Sequence, residues 1–122
     1  MAADLVLEAD LAAQFRGLAD RTLAAWRARP PEDAINVGGG PMPVQVAMSI
    51  NLLDTATHAW DIARSTGQDP QLPGSATSTM LALCHGIVPD ENRQGAGFAP
   101  QVTVPAEASP TDRLVAFLGR QP

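Results

Sequence analysis

Pro43-Val44-Gln45-Val46-Ala47-Met48-Ser49-Ile50-Asn51-Leu52-Leu53-Asp54-Thr55-Ala56-Thr57-His58-Ala59-Trp60-Asp61-Ile62-Ala63-Arg64-Ser65-Thr66-Gly67 reads as one helix. A Gly-Gly-Gly-Pro-Met-Pro breaker opens it and Thr66-Gly67 closes it, so both ends are marked. On a helical wheel Val46, Ile50, Leu53, Thr57 and Trp60 form one arc for burial. Met48, Leu52, Ala56, Ala59 and Ala63 line much of the remainder, which is the pattern of a helix inside a bundle. Asn51, Asp54, His58, Asp61 and Ser65 make a narrow polar strip between them.

Asp54 and His58 are four residues apart and therefore lie one turn above the other on the same face. A carboxylate and a neutral imidazole so placed can give two ligands to one divalent ion, with the second ring nitrogen fixed by an acceptor behind it. On spacing alone the plainer alternative is favoured, a solvated stripe in which the pair contributes a few tenths of a kcal/mol, about the value of other such pairs. A catalytic zinc takes about three protein ligands and an open position.

The chain has 122 residues and five net negative charges. That length suits a single domain with one core. The charge argues against a nucleic-acid partner, since phosphate binding requires clustered cations. All the cations are arginine, and lysine and tyrosine are absent, a bias of GC-rich coding. One cysteine, Cys84, excludes an intrachain disulfide framework and fits a reducing compartment. No leader pattern opens the chain and no apolar run approaches the ~20 residues that span a bilayer. A soluble, cytoplasmic protein without membrane contact is expected.

Outward from the central stretch, Asp4 to Arg29 reads as a scaffold helix with Leu11, Phe15, Leu18, Ala19, Leu23 and Trp26 on one face. Arg29-Pro30-Pro31 stops it. Ala34–Val37 is extended, and Gly38-Gly39-Gly40 then lets the backbone turn into the next helix, with Pro41 and Pro43 near its first turn. The glycines are no phosphate loop, because no Lys-Ser or Lys-Thr follows. Ser75 to Val88 reads as a third helix with Thr77, Met80, Leu81, Cys84, Ile87 and Val88 packed. Cys84 is expected to be buried and inert. His85, near the helix end, is explained by the dipole there and remains a distant candidate for a third ligand. Asp90 to Gly97 reads as mobile surface, and Gln101–Val104 as a short strand able to pair with Ala34–Val37. Ser109-Pro110-Thr111-Asp112 caps a last helix whose apolar face is Leu114, Val115, Phe117 and Leu118, ended by Gly119.

Three stretches carry a resemblance. His58-Ala59-Trp60-Asp61-Ile62-Ala63-Arg64-Ser65-Thr66-Gly67 resembles the "HxWDLARATG" segment of an actinobacterial family of metal-binding proteins. The family lies in the DinB-like superfamily, alongside the mycothiol-dependent maleylpyruvate isomerase metal-binding domain. Gly97-Phe98-Ala99-Pro100 with Val102-Thr103-Val104-Pro105 is similar to the family's strand region. Asp112-Arg113-Leu114-Val115-Ala116-Phe117-Leu118-Gly119-Arg120 is similar to its closing "DRLLALLGR". Leu23-Ala24-Ala25-Trp26 also fits the family's third helix.

The resemblance implies a mainly α fold, a partial DinB-like helical bundle of three main helices and a short C-terminal helix in one domain, 1–122. It implies a divalent metal, zinc foremost, with Asp54 and His58 as two ligands and Asp61 behind them. It also implies that the family's first two helices, with their metal histidine, are absent from this chain. The expected function is metal binding with thiol (mycothiol)-dependent transferase or isomerase chemistry. The isolated chain, with two ligands, is expected to be inactive. The alternative is a non-catalytic remnant or self-associating module, and a third account is a start codon placed too late. Bare apolar faces predict self-association as a homodimer, in which two Asp54/His58 pairs could meet around one ion.

Overall fold

The computed structural model describes residues 6–91 and 93–122, which form four helices and one two-stranded sheet. The chain divides into two compact units, Met1–Met48 and Ser49–Pro122.

In the first unit α1 spans Leu11–Arg27. The helix expected from Asp4 starts later: residues 4–5 lie outside the described residues, and residues 6–10 are not helical. The cause is local capping. The Asp10 carboxylate accepts from the Ala13 amide at 2.9 Å, the side-chain bond that satisfies an orphan N–H at a helix start. The Gln14 amide donates to Val6 O while its oxygen accepts from Glu8 N, folding the preceding stretch back over the first turn. Ala28 ends α1 with its N–H on Ala24 O, ahead of Pro30. No residue of α1 is buried, and Leu11, Phe15 and Leu23 of its apolar face are exposed.

β1 (Ala34–Asn36) pairs antiparallel with β2 (Pro41–Pro43), with Ile35 opposite Met42. This corrects the expected pairing of Ala34–Val37 with Gln101–Val104. The glycine run explains it: Gly38 and Gly40 adopt φ of 106° and 104°, a region that costs glycine little. The Asn36 side chain accepts from Gly38 N at 2.9 Å and the chain reverses at once. A local reversal loses less closure entropy than a distant pairing. Pro41 and Pro43 therefore sit in a short strand, where proline is tolerated at an edge, and not in the first turn of a helix.

α2 spans Val44–Ser65. Its first N–H groups are satisfied from upstream, Val44 N on Asp33 O at 2.8 Å and Gln45 N on Pro31 O at 3.0 Å. In the second unit α2 is joined by α3 (Gly74–Ile87) and α4 (Pro110–Phe117). Leu53, Met80, Cys84, Val88, Leu114, Phe117 and Leu118 form one buried cluster, with Leu72, Leu81 and Phe98 packed against it. Leu53, Thr57 and Trp60 of α2 are buried as the wheel predicts. Val46, Met48, Leu52 and Ile62 are exposed, so α2 is not enclosed on most of its circumference.

α4 follows its sequence closely. Ser109 accepts from Asp112 N, Pro110 opens the helix, and Leu114, Val115, Ala116 and Phe117 are buried. Gly119, at φ 85°, turns the chain out of it. Gly119 N binds Ala116 O and Arg120 N binds Val115 O, the paired bonds of a Schellman end. A Cβ on Gly119 would lie 2.7 Å from Ala99 Cβ and from its carbonyl oxygen.

Residues 101–104 form no strand; Val102 N binds Ala116 O instead. The Asp90–Gly97 segment is not all surface, because Arg93 is only 9% exposed. Its guanidinium donates from Nε to Ala99 O at 3.2 Å and from Nη2 to Phe117 O, and stacks 5.0 Å from the Phe117 ring. Arginine's planar fork can serve carbonyls and an aromatic face together, which sequence polarity alone does not reveal.

Candidate metal centre

The site is built on consecutive turns of α2. Thr57 and Trp60 are buried, while Asp54 and His58, on the flank of the same helix, are exposed. His58 Nε2 lies 3.4 Å from Asp54 Oδ1, and His58 Nδ1 lies 3.2 Å from Asp61 Oδ2. Asp61 is held in turn by Arg120, whose Nε donates to Oδ1 at 2.7 Å and whose Nη2 donates to Oδ2 at 2.8 Å. Four side chains thus form one line, carboxylate–imidazole–carboxylate–guanidinium. Exposure falls along it, from 67% at Asp54 and 62% at His58 to 36% at Asp61 and 25% at Arg120.

Electrostatics fix the inner end. The Arg120 fork holds the Asp61 carboxyl below the usual carboxylate range, partial burial opposes this, and His58 adds to the lowering. The same bond raises the Arg120 guanidinium above its ordinary value. Asp61 is therefore ionised and acts as an acceptor, which selects the His58 tautomer with a proton on Nδ1. In neutral His58 that leaves the Nε2 lone pair directed toward the Asp54 carboxylate. The two atoms lie 3.4 Å apart, and both side chains are open to water.

The candidates Asp54 and His58 are thus brought together, and Asp61 stands behind His58. His85 does not join them: its ring packs at a 56° tilt against Phe117, with centroids 4.4 Å apart. Among the described residues no group of three or more His, Cys, Asp or Glu is arranged to hold a metal. Cys84 is fully buried, and burial pushes its thiol up to about 11. It offers neither ligand nor nucleophile. Sequence reasoning missed Arg120. Its signal is the Leu118-Gly119-Arg120 ending, because a Schellman glycine fixes the direction of the residue that follows it. No helix among the described residues is long and apolar enough to cross a membrane.

Residues 7–63 match the model of the Mycothiol maleylpyruvate isomerase N-terminal domain family, in line with the resemblance. The match takes in Asp54, His58 and Asp61 and covers just under half of the chain. Two uncharacterized proteins of Mycobacterium tuberculosis, from strains CDC 1551 / Oshkosh and H37Rv, are each 39% identical over 82 residues. That alignment covers 66% of this chain and 45% of each relative, so the chain spans under half the length of these relatives. No solved structure matches.

Proposed function

We propose, for a chain whose residues 7–63 match the mycothiol maleylpyruvate isomerase N-terminal domain, that it binds a divalent metal through Asp54 and His58. The observation that carries the reading is the Asp61 carboxylate on His58 Nδ1 at 3.2 Å. Ligating histidines nearly always donate their other ring N–H to such an acceptor, which fixes the tautomer and raises ligand basicity. Asp61 is fixed by two charge-assisted bonds from Arg120, the geometry that gives an arginine–carboxylate pair its directionality. One carboxylate oxygen and one imidazole nitrogen make a borderline donor set suited to zinc.

A bound zinc would supply Lewis acidity able to lower the pKa of a coordinated thiol or water. The chain's own residues bind and orient. Asp54 provides charge, His58 a neutral donor, Asp61 the tautomer, and Arg120 the rigidity. A small-molecule thiol such as mycothiol, in a transferase or isomerase reaction, is the chemistry that the family likeness brings to this proposal. The second reading is a non-catalytic interaction module. The exposure of Asp54 and His58 favours it, since an open pair in water is also what a surface charge network looks like.

Competition for Zn2+ against a chromogenic chelator separates the two. Wild type is expected to take zinc from the indicator, His58→Ala and Asp54→Asn to fail, and Asp61→Asn to bind about 10–100-fold more weakly. Equal indifference of all four proteins to zinc leaves the interaction module alone.

A further inference from the structure

The C-terminal end of α4, from which Arg120 reaches Asp61, is fastened by a side chain that belongs to neither α2 nor α4. A helix leaves its last four carbonyls without intrahelical partners. Here Leu114 O accepts from Leu118 N, Val115 O from Arg120 N, and Ala116 O from both Gly119 N and Val102 N. The fourth, Phe117 O, accepts from Nη2 of Arg93. The same guanidinium donates from Nε to Ala99 O at 3.2 Å and lies 5.0 Å from the centre of the Phe117 ring. One planar group thus grips a loop and a helix end together, with its charge at the negative end of the helix dipole. The carbonyl of Arg93 accepts from Ala96 N at 3.1 Å and from Phe98 N at 2.8 Å, so the anchor is itself part of a closed turn. Ala99, tied to Arg93, is the residue that a Cβ on Gly119 would meet at 2.7 Å.

We infer that Arg93 is a positioning residue for the His58 site and acts on it through the end of α4. The functional meaning of the inference rests on the metal-binding reading above. Arg93 fixes Phe117 O and Ala99, and these hold the Gly119 turn from two sides. The turn aims Arg120, whose Nε and Nη2 reach Asp61 at 2.7 and 2.8 Å. Asp61 in turn accepts from His58 Nδ1 at 3.2 Å. Hydrogen bonds weaken steeply when misaligned, and a two-bond fork has two alignments to keep. A small displacement of the α4 end is therefore read at the imidazole as a loss of its fixed tautomer.

Long-range 1H–15N spectra of the His58 ring in metal-free protein, joined to a Zn2+ titration, test this. Arg93→Lys keeps the charge and loses the fork; should it fail to fold, Arg93→Gln is read in its place. Wild type is expected to show one Nδ1–H tautomer. Arg93→Lys is expected to show a mixture of tautomers and about 3–10-fold weaker zinc binding, less than the 10–100-fold expected where the ligand's direct partner is removed. Added to Arg120→Lys, it is expected to change neither readout further, because both residues act along one path. Met80→Ala, which also removes a buried contact, is expected to lower the urea midpoint and leave the tautomer as in wild type. A folded Arg93→Lys protein with the wild-type tautomer and zinc affinity overturns the inference, since Arg93 then serves stability alone. Additive effects of Arg93→Lys and Arg120→Lys overturn it as well. A tautomer that shifts with Arg93→Lys in a protein that takes up no zinc upholds the positioning role and defeats the metal-binding reading.

Discussion

Arg120 shows how a single residue can set a site from a distance in sequence. Its guanidinium closes a fork on Asp61, Asp61 selects the tautomer of His58, and His58 then directs Nε2 toward Asp54. Arg120→Lys keeps the charge but cannot make the bidentate bond. It is expected to loosen the His58 ring and weaken zinc binding in a titration while leaving the thermal midpoint nearly unchanged, because partly exposed ion pairs contribute little to stability. Arg93 is the opposite case. Among the described residues it is buried without a carboxylate partner, and its Nη1 has no hydrogen-bond partner there. Arg93→Met removes the bonds to the Ala99 and Phe117 carbonyls and leaves both acceptors buried or half-buried. A loss of roughly 2–4 kcal/mol in urea unfolding is expected.

Cys84 supplies a pH dependence at the same scale. In the folded chain it is pushed up to about 11, above its ordinary value of 9.0, because burial disfavours the thiolate. The unfolded chain therefore loses the proton first as pH rises, and stability is full below about pH 9 and falls between there and about pH 11. Urea midpoints at pH 8 and pH 10.5 are expected to fall more for wild type than for Cys84→Ala. Iodoacetamide is expected to leave native Cys84 unmodified until denaturant is added.

Among the elements, α1 and α4 differ most. Every apolar residue of the α4 face is buried, whereas α1 buries none. Leu114→Ala is expected to cost about 2–5 kcal/mol and Leu23→Ala under about 0.5 kcal/mol, read from denaturant midpoints. Gly119→Ala tests a terminus: its φ of 85° and the 2.7 Å approach of Ala99 leave no room for a Cβ. A loss of roughly 1–3 kcal/mol is expected, together with weaker zinc binding, since the same turn delivers Arg120. Much of this was legible in the sequence. Ser109, Pro110 and Gly119 mark α4 by local chemistry, and the α3 face from Thr77 to Val88 follows from periodicity. The β1–β2 hairpin was not, because proline argues against a strand unless the strand is short and at an edge. The start of α1 was obscured by Asp10, which continues the helical pattern while its side chain ends it.

For the whole molecule, the legible part of the site was the part confined to one helix. Asp54, His58 and Asp61 lie within two turns of α2, so spacing alone brings them together. Arg120 lies 59 residues from Asp61, and only the folded second unit makes them neighbours. The exposed faces of α1 and α2 follow the same logic. Periodicity states that a face is apolar, but only the fold shows whether anything covers it. Five net negative charges over the whole chain argue against an anionic partner.

The central claim is that His58 presents Nε2 to a cation while Asp61 holds its Nδ1–H. Long-range 1H–15N correlation spectra of the imidazole, recorded during Zn2+ addition, read both nitrogens at once. The account predicts a single Nδ1–H tautomer whose Nε2 resonance moves on metal binding and stays still in the Asp54→Asn variant. Imidazole resonances that ignore zinc, or a metal that settles on Nδ1, would contradict it.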